Sequence, residues 1–179
     1  KDMGLVSNIF DESILNSLHG SVGVGHTRYS TAGGKEWSNV QPMFNTTAHG
    51  VDIALCHNGN LVNYQELREE SVALGLYKEH EKSLSDSMVM TSLLAHGVSD
   101  DKSVFESAKD LLPRIEGAYC LTFTDGKTLY AARDPHGVRP LVLGRLAQGW
   151  VVASETCALD IVGAQFIREV EPGELISIN

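Results

Sequence analysis

The sequence lacks a long run of apolar residues. No stretch approaches the roughly 18 residues that a membrane-spanning helix needs. The first residues, KDMGLVSNIF, also lack the long apolar core of a signal peptide. We therefore expect no membrane partner, and we expect the protein to act in the cytoplasm.

Basic residues are few. The chain has 14 Lys and Arg against 23 Asp and Glu, and its net charge at pH 7 is -9. Nucleic acids bind proteins chiefly through clustered Lys and Arg side chains that contact phosphates, and here these residues are scattered. We therefore expect no nucleic acid among the partners.

Cysteine is scarce as well. Cys56, Cys120 and Cys157 are odd in number, far apart and without a CxxC motif, which argues against a disulfide framework and against a zinc site built from cysteines. The seven histidines show no HxxxH or HExxH spacing. The sequence therefore predicts no metal site.

The chain has the length and composition of one globular domain. It has 179 residues, of which 42% are hydrophobic and 21% charged. Strand-like patterns cover residues 21–29 and 51–57, and a polar stretch from 30 to about 48 predicts a long loop between them.

Helical patterns occupy the middle of the chain. Asn63 and Glu66 have the spacing of a capping box, which predicts a helix that starts near Asn63. Apolar spacing predicts two more helices at 85–96 and 103–115, and Pro113 should distort the last turn of the second.

The last third of the chain is typical of antiparallel strands. Residues 118–124 and 127–133 flank Asp-Gly, a favoured hairpin turn, and residues 138–146 and 150–155 form a second predicted hairpin. A final strand is predicted at 175–178. Strands at both ends with helices between them indicate an α+β fold.

The pair Asn58-Gly59 permits two interpretations. Asn-Gly is the strongest short signal for a two-residue hairpin turn, yet a helix follows here instead of a partner strand. An Asn amide and a Gly N–H side by side at a strand end can also direct two hydrogen-bond donors at one point. That arrangement is an oxyanion hole.

Three further polar groups also have two interpretations each. Arg28 is either a surface charge or a guanidinium that binds a carboxylate. Asp86 either compensates the dipole of its helix or accepts an ammonium group. Arg133 and Asp134 provide either turn chemistry or a structural ion pair.

In order along the chain, the motifs resemble one family. They are GHTRYSTAG, LCHNGNLVNYQELR, SDSMV, RIEGAYCLTF, ARDPHGVRPLVLG, VASETCALD and VEPGE. This series is similar to the glutaminase domain of the amidophosphoribosyltransferases, which are N-terminal-nucleophile glutamine amidotransferases. HNGN and GHTR occur across related amidotransferases, whereas the later stretches point more narrowly to the purine enzymes.

The resemblance implies a fold and residue roles. The fold would be an αββα sandwich of two antiparallel sheets between helical layers. Arg28 would hold the α-carboxylate of glutamine with Thr31 nearby, and Asp86 would take its α-ammonium group. The Asn58 side chain and the Gly59 N–H would form the oxyanion hole.

The nucleophile of this family is an N-terminal cysteine whose own α-amine can serve as the base. Position 1 is Lys1, so we expect several tens of residues before it and an incomplete glutaminase domain at 1–179. Cys56 precedes His57, which would shape the Asn-Gly segment. Nothing nearby in sequence activates the Cys56 thiol, so we interpret Cys56 as core packing.

The resemblance also implies an activity and its partners. The complete protein would release ammonia from glutamine and pass it to its own phosphoribosyltransferase domain, absent from this chain, which would make phosphoribosylamine from phosphoribosyl pyrophosphate. Mg²⁺ would belong to that domain, a homo-oligomer is expected, and no residue spacing supports the iron–sulfur cluster of some members. The alternatives are another amidotransferase, of the glucosamine-6-phosphate synthase type, or a non-catalytic glutamine-binding domain.

Overall fold

The computed structural model describes residues 1–28, 37–81 and 84–179. Within these ranges the chain forms two antiparallel sheets with helices on their outer faces. No helix in the described ranges combines the length and apolar character needed to cross a membrane.

The larger sheet has five strands in the order β1-β2-β3-β4-β8, and every neighbouring pair is antiparallel. Its strands are β1 (Met43–Thr46), β2 (Asp52–Leu61), β3 (Gly117–Thr124), β4 (Leu129–Arg133) and β8 (Leu175–Ile178). The long pairing of β2 with β3 places Asn58 opposite Cys120 at the centre of the sheet.

The smaller sheet has three strands in the order β6-β5-β7, again antiparallel. They are β5 (Val142–Leu146), β6 (Gly149–Ala153) and β7 (Gln165–Glu169). The hairpins β3–β4 and β5–β6 confirm the two predicted from the sequence, and β8 confirms the predicted last strand. Strand β7 was not predicted from the sequence, and its apolar residues Phe166 and Ile167 are exposed.

The helices of the described ranges are α1 (Val6–Ile9), α2 (Glu12–Ser17), α3 (Tyr64–Ala73), α4 (Asp86–His96), α5 (Val104–Leu111) and α6 (Thr156–Val162). Short 3₁₀ turns cover Trp37–Asn39 and Leu112–Arg114. The second of these contains Pro113, which confirms the predicted distortion after α5. The sequence did not predict α1 and α2, which bury no residue.

The core shows why four layers form. On β3, Tyr119, Leu121 and Phe123 pack with the helical residues of α4 and α5, whereas Cys120 on the opposite face packs with Leu141 and Val170 beside the smaller sheet. Successive strand residues point to opposite faces, so one strand serves both layers.

The smaller sheet repeats this division. Val142, Val151 and Ala153 pack with Leu159 of α6 on the outer face, and Val152 packs toward the larger sheet. The layers are therefore helix, sheet, sheet and helix, which confirms the predicted αββα class.

The prediction of a strand at 21–29 is wrong for its described part. Residues 21–28 lie outside every helix and strand. Their exposure alternates as in a strand, with Val22, Val24 and His26 half-buried. A strand also needs hydrogen bonds to a neighbour, and residues 21–28 make no such backbone bonds to the described residues.

The predicted loop from 30 to 48 is wrong in its second half, because β1 and the 3₁₀ turn Trp37–Asn39 lie there. The capping box at Asn63 is wrong as well, although α3 does begin directly after it. The Asn63 side chain hydrogen-bonds the carbonyl of Arg114 (2.9 Å) and the N–H of Glu116 (3.0 Å) instead. Tertiary partners 51 and 53 residues away thus replaced the local cap.

Candidate active site

A cleft of about 980 Å³ opens beside the middle of the larger sheet. It is lined by residues from segments distant in sequence: 25–28, 56–61, 84–87, 152–154, and Cys120 with Thr122. Arg28, Asn58, Gly59 and Asp86 all line it. Thr31, the fifth predicted site residue, lies outside the described residues.

The Asn58-Gly59 pair lies inside β2, not in a turn and not at a strand end. Residues 58 to 61 continue the pairing with β3. The interpretation as a hairpin turn is therefore wrong, and so is the expected strand end. Tertiary pairing with β3 overrode the local turn preference of Asn-Gly.

Gly59 occupies a place with no room for a side chain. A Cβ atom there would collide with the Ala118 carbonyl and lie 2.8 Å from Nε2 of His57. The close pairing of β2 and β3 thus requires glycine at this position, whatever the ligand requires.

One edge of β2 changes its partner along the strand. Met43 of β1 pairs with Leu55, and beyond that pair the Gln41 side chain bonds the same edge of β2. The His57 N–H donates to Gln41 Oε1 (2.5 Å), and Gln41 Nε2 donates to the His57 carbonyl (3.1 Å). Alternate residues of a strand direct their backbone groups to the same edge, so the N–H of Gly59 comes next. Beyond it, the backbone of Leu61 lies close enough to the Asp86 carboxyl to help lower its pKa.

Asp86 is the first residue of α4, after Ser85, whose side chain accepts from the Met88 N–H and caps the helix. The Asp86 Oδ1 accepts from the N–H of Ser87 (2.7 Å) and from its hydroxyl (3.2 Å). His57 Nδ1 lies 3.6 Å from the same oxygen.

The ionisation of Asp86 follows from these contacts. Burial acts to raise the pKa of its carboxyl, but the His57 imidazole 3.6 Å away and the nearby backbone N–H groups outweigh it. The pKa is lowered below its ordinary value, so Asp86 is an anion at neutral pH. Its side chain keeps 21% of its surface exposed, which a ligand can contact.

His57 is a buried support beneath the site. Its side chain is 2% exposed, and Nδ1 lies 3.2 Å from the Ser87 hydroxyl. Its Nε2 is buried and has no hydrogen-bond partner among the described residues. His26 lies on the same cleft, where burial, the charge of His57 and the charge of Arg28 lower its pKa. His26 is therefore neutral at pH 7.

Arg28 supplies positive charge at the mouth of the cleft. The residue is exposed, and its Nη1 donates to the carbonyl of Asn39 at 3.3 Å. A guanidinium has five N–H donors in a planar fork, so one such bond leaves donors that can bind a carboxylate bidentately.

None of the three cysteines has an activated thiol. Burial raises the pKa of Cys56 to about 12, against a smaller opposing effect of the Thr122 hydroxyl, and raises that of Cys120 to about 11. Both are 4% exposed, as expected for the small core residues that the sequence predicted. Cys157 is exposed on α6 and does not line the cleft.

Arg133 and Asp134 do not form an ion pair with each other. Asp134 is fully buried and accepts backbone N–H groups of Tyr119, His136 and Val138. Arg133 pairs instead with Glu169. Both residues shape the loop after β4 through backbone groups, so the turn-chemistry alternative holds and the Arg133–Asp134 ion pair is wrong.

The described residues contain no group of three His, Cys, Asp or Glu side chains that could hold a metal ion. The three cysteines in particular lie in different elements, so the residues present do not fit an iron–sulfur cluster. No step proposed below depends on a metal.

Sequence reasoning missed Gln41, because its role depends on contact with a residue 16 positions away. It gave His57 only a general structural role, and the link to Ser87 and Asp86 spans about 30 positions.

Comparisons with known proteins agree with this geometry. The family described as "Glutamine amidotransferase domain" matches residues 26–160. An amidophosphoribosyltransferase from Mycobacterium bovis is 54% identical over 100% of this chain, which covers 34% of that protein. The chain thus spans about a third of the length of the curated relatives it matches.

Two solved structures have the same fold. One is a glutamine phosphoribosylpyrophosphate amidotransferase from B. subtilis, complexed with ADP and GMP, at 38% identity and a TM-score of 0.75. The other carries the description "allosteric regulatory enzyme of purine biosynthesis", at 40% identity and a TM-score of 0.75. Each match covers 86% of this chain and 32% of the solved chain.

Proposed function

Because this chain belongs to the glutamine amidotransferase domain family, we propose that its cleft binds glutamine and that the domain hydrolyses the side-chain amide. The observation that carries the proposal is the convergence of four groups. A cation at Arg28, an anion at Asp86 and the amide donors of Asn58 and Gly59 come from three separate segments and line one cleft.

The charged groups match the backbone of a free amino acid. Glutamine is zwitterionic, and a fixed cation with a fixed anion selects both its ends. Arg28 binds the α-carboxylate, and Asp86, ionised at neutral pH, binds the α-ammonium group. Thr31 keeps its proposed role of adding a hydroxyl near the carboxylate.

The amide donors match the reaction. A thiolate attacks the side-chain carbonyl carbon, and negative charge develops on the carbonyl oxygen of the tetrahedral intermediate. The Asn58 side chain and the Gly59 N–H donate to that oxygen. The amide nitrogen takes up a proton and leaves as ammonia, and its departure forms a thioester. Water then attacks the thioester, and the products are glutamate, ammonia and the free thiol.

The thiol comes from outside residues 1–179 in this proposal. The pKa of Cys56 is about 12, so this thiol is almost wholly protonated at neutral pH, and nearly all of its surface is buried. The family resemblance implies an N-terminal cysteine whose α-amine accepts its proton.

We extend the proposal to the complete protein on the strength of its named relatives. Relatives that match the whole chain at up to 54% identity are amidophosphoribosyltransferases. The ammonia would pass to a phosphoribosyltransferase domain, which displaces pyrophosphate from phosphoribosyl pyrophosphate and forms phosphoribosylamine. Mg²⁺ in that domain, homo-oligomer formation and a cytoplasmic location remain predictions.

The full-length protein tests both levels. We expect glutamate release from glutamine, and we expect pyrophosphate release that requires phosphoribosyl pyrophosphate together with glutamine. Glutamate release that is coupled to fructose 6-phosphate would point to a glucosamine-6-phosphate synthase type instead. Glutamine binding by calorimetry without glutamate release would indicate a binding domain.

A further inference from the structure

We propose that Gln41 is a positioning residue that holds the strand carrying the oxyanion donors. This inference rests on the proposed glutamine hydrolysis. Gln41 lies two residues before the first residue of β1 and lines the cleft, and both polar atoms of its side chain hydrogen-bond the backbone of His57. His57 is followed at once by Asn58 and Gly59.

The register of the sheet gives Gln41 its place. β1 pairs with β2 so that Met43 lies opposite Leu55. Extending this antiparallel register by two residues places position 41 opposite His57. The strand β1 begins only at Met43, and the Gln41 side chain supplies the donor and the acceptor that a strand backbone would have supplied.

Because a side chain and not a strand pairs with His57, the next N–H on this edge stays uncovered. A longer β1 would continue along the edge and cover the N–H of Gly59, which is the next amide on that edge. The chain instead turns away in the 3₁₀ turn Trp37–Asn39. Gln41 therefore supports the edge up to His57 and leaves the Gly59 N–H directed at the cleft.

Both ends of the donor segment are then fixed. Gln41 holds the His57 peptide on one side, and on the other side Leu61 is paired with Gly117 of β3. An oxyanion donor contributes only when it is already oriented toward the position of the developing charge. Loss of the Gln41 contacts would leave the oxyanion donors of Asn58 and Gly59 in place but would no longer fix their orientation.

The test uses the full-length protein and measures glutamate release. We expect Gln41→Ala to lower kcat by about 10- to 100-fold, since a misplacement of about 1 Å can cost 10²-fold, while KM for glutamine stays close to wild type. Thr46→Val is the matched control: it removes a side-chain hydrogen bond between β1 and β2, to Asp52, outside the cleft. It should leave kcat unchanged.

Gln41→Glu gives a second readout that a merely structural role would not produce. The ionised carboxylate can accept from the His57 N–H but repels the His57 carbonyl. The protonated acid can donate to that carbonyl and restores both bonds. The ratio of its kcat to that of the wild type should therefore rise as the pH falls toward the Glu pKa of about 4.3.

Three outcomes would overturn the inference. They are a wild-type kcat for Gln41→Ala, a parallel loss of kcat and glutamine affinity, and a flat pH ratio for Gln41→Glu. If Gln41→Ala fails to fold, the pH ratio decides. A wild-type protein that releases no glutamate would instead refute the proposed function, and the Gln41 inference with it.

Discussion

At the scale of single residues, Asp86 shows how one side chain can compensate a helix dipole and also face a cleft. It lies in the first turn of α4, where a carboxylate compensates the helix dipole. The same carboxylate is held by Ser87 and His57 and keeps part of its surface in the cleft. The two interpretations of this residue from the sequence are therefore compatible.

Asp86→Asn should raise KM for glutamine by about 10-fold or more, because hydrogen bonds to charged groups contribute about 1.5–3 kcal/mol. Because its pKa is lowered, the carboxylate stays ionised even at a pH near the ordinary Asp pKa. Its contribution to glutamine binding is lost only as the pH falls through the lowered pKa. The KM ratio of variant to wild type should thus be constant between about pH 5 and 8. Equal KM values would remove Asp86 from the ammonium site.

Arg28 provides a matching prediction at the other end of the ligand. Arg28→Ala should mainly weaken glutamine binding, because the carboxylate loses a bidentate partner. Arg28→Lys is the control that keeps the positive charge but loses the planar guanidinium, and its glutamine affinity should lie between those of wild type and Arg28→Ala. Calorimetric titration or KM measures the effect, and an unchanged apparent affinity for Arg28→Ala would count against this role.

Asn58→Ala tests the oxyanion donor itself. Loss of one such donor typically lowers kcat by about 10²–10³-fold, because the interaction forms mainly in the transition state. We expect that range for glutamate release by the full-length protein, with KM for glutamine little changed. A variant with unchanged turnover would show that Asn58 does not stabilise the intermediate.

At the scale of elements, β2 contributes both to the core and to the surface of the cleft. Ile53, Leu55 and Leu61 belong to the main core cluster, whereas Asn58 and Gly59 are exposed in the cleft. The firm pairing of β2 with β3 supports the exposed part, so the donors stand on a rigid strand.

Gly59→Ala tests the fit of these two strands. The added methyl group would meet the Ala118 carbonyl, and overpacking of this kind costs about 1–3 kcal/mol in the free energy of unfolding. Glutamate release should fall as well, because the strand must shift. Gly149→Ala in β6 is the control, since no atom lies within 4 Å of its added Cβ, and it should change stability by less than about 1 kcal/mol. Equal stability of both variants would contradict the described fit.

At the scale of the whole molecule, Arg133 connects the two sheets. It is the last residue of β4 in the larger sheet and pairs with Glu169 at the end of β7 in the smaller one. Its guanidinium also donates to the carbonyls of Val170, Gly137 and Arg139. One buried side chain thus joins β4, β7 and the loop between β4 and β5.

Arg133→Ala should lower the free energy of unfolding by about 2–4 kcal/mol, because several carbonyls lose their donor in a buried setting. Arg145→Ala is the control in the smaller sheet. Arg145 is exposed and stacks over Trp150 at 4.5 Å, so its loss should cost less than about 1 kcal/mol. Chemical denaturation measures both, and similar losses would show that Arg133 does not join the sheets.

The sequence by itself determined the helices α3, α4 and α5, the two hairpins and the α+β class. Apolar periodicity and the Asp-Gly turn are local signals that few neighbours can alter. It also singled out Arg28, Asn58, Gly59 and Asp86, since the order of motifs along the chain resembles one family.

Only the tertiary structure decided how these residues meet. Asn58-Gly59 lies in a strand because β3 pairs with it. The Asn63 side chain bonds residues 114 and 116 instead of capping its helix. The Gln41 side chain bonds the His57 backbone at the edge of the sheet. Each outcome depends on hydrogen bonds between residues 16 or more positions apart. Buried backbone and amide groups hydrogen-bond the groups that folding brings close to them, and the local sequence does not encode which groups those are.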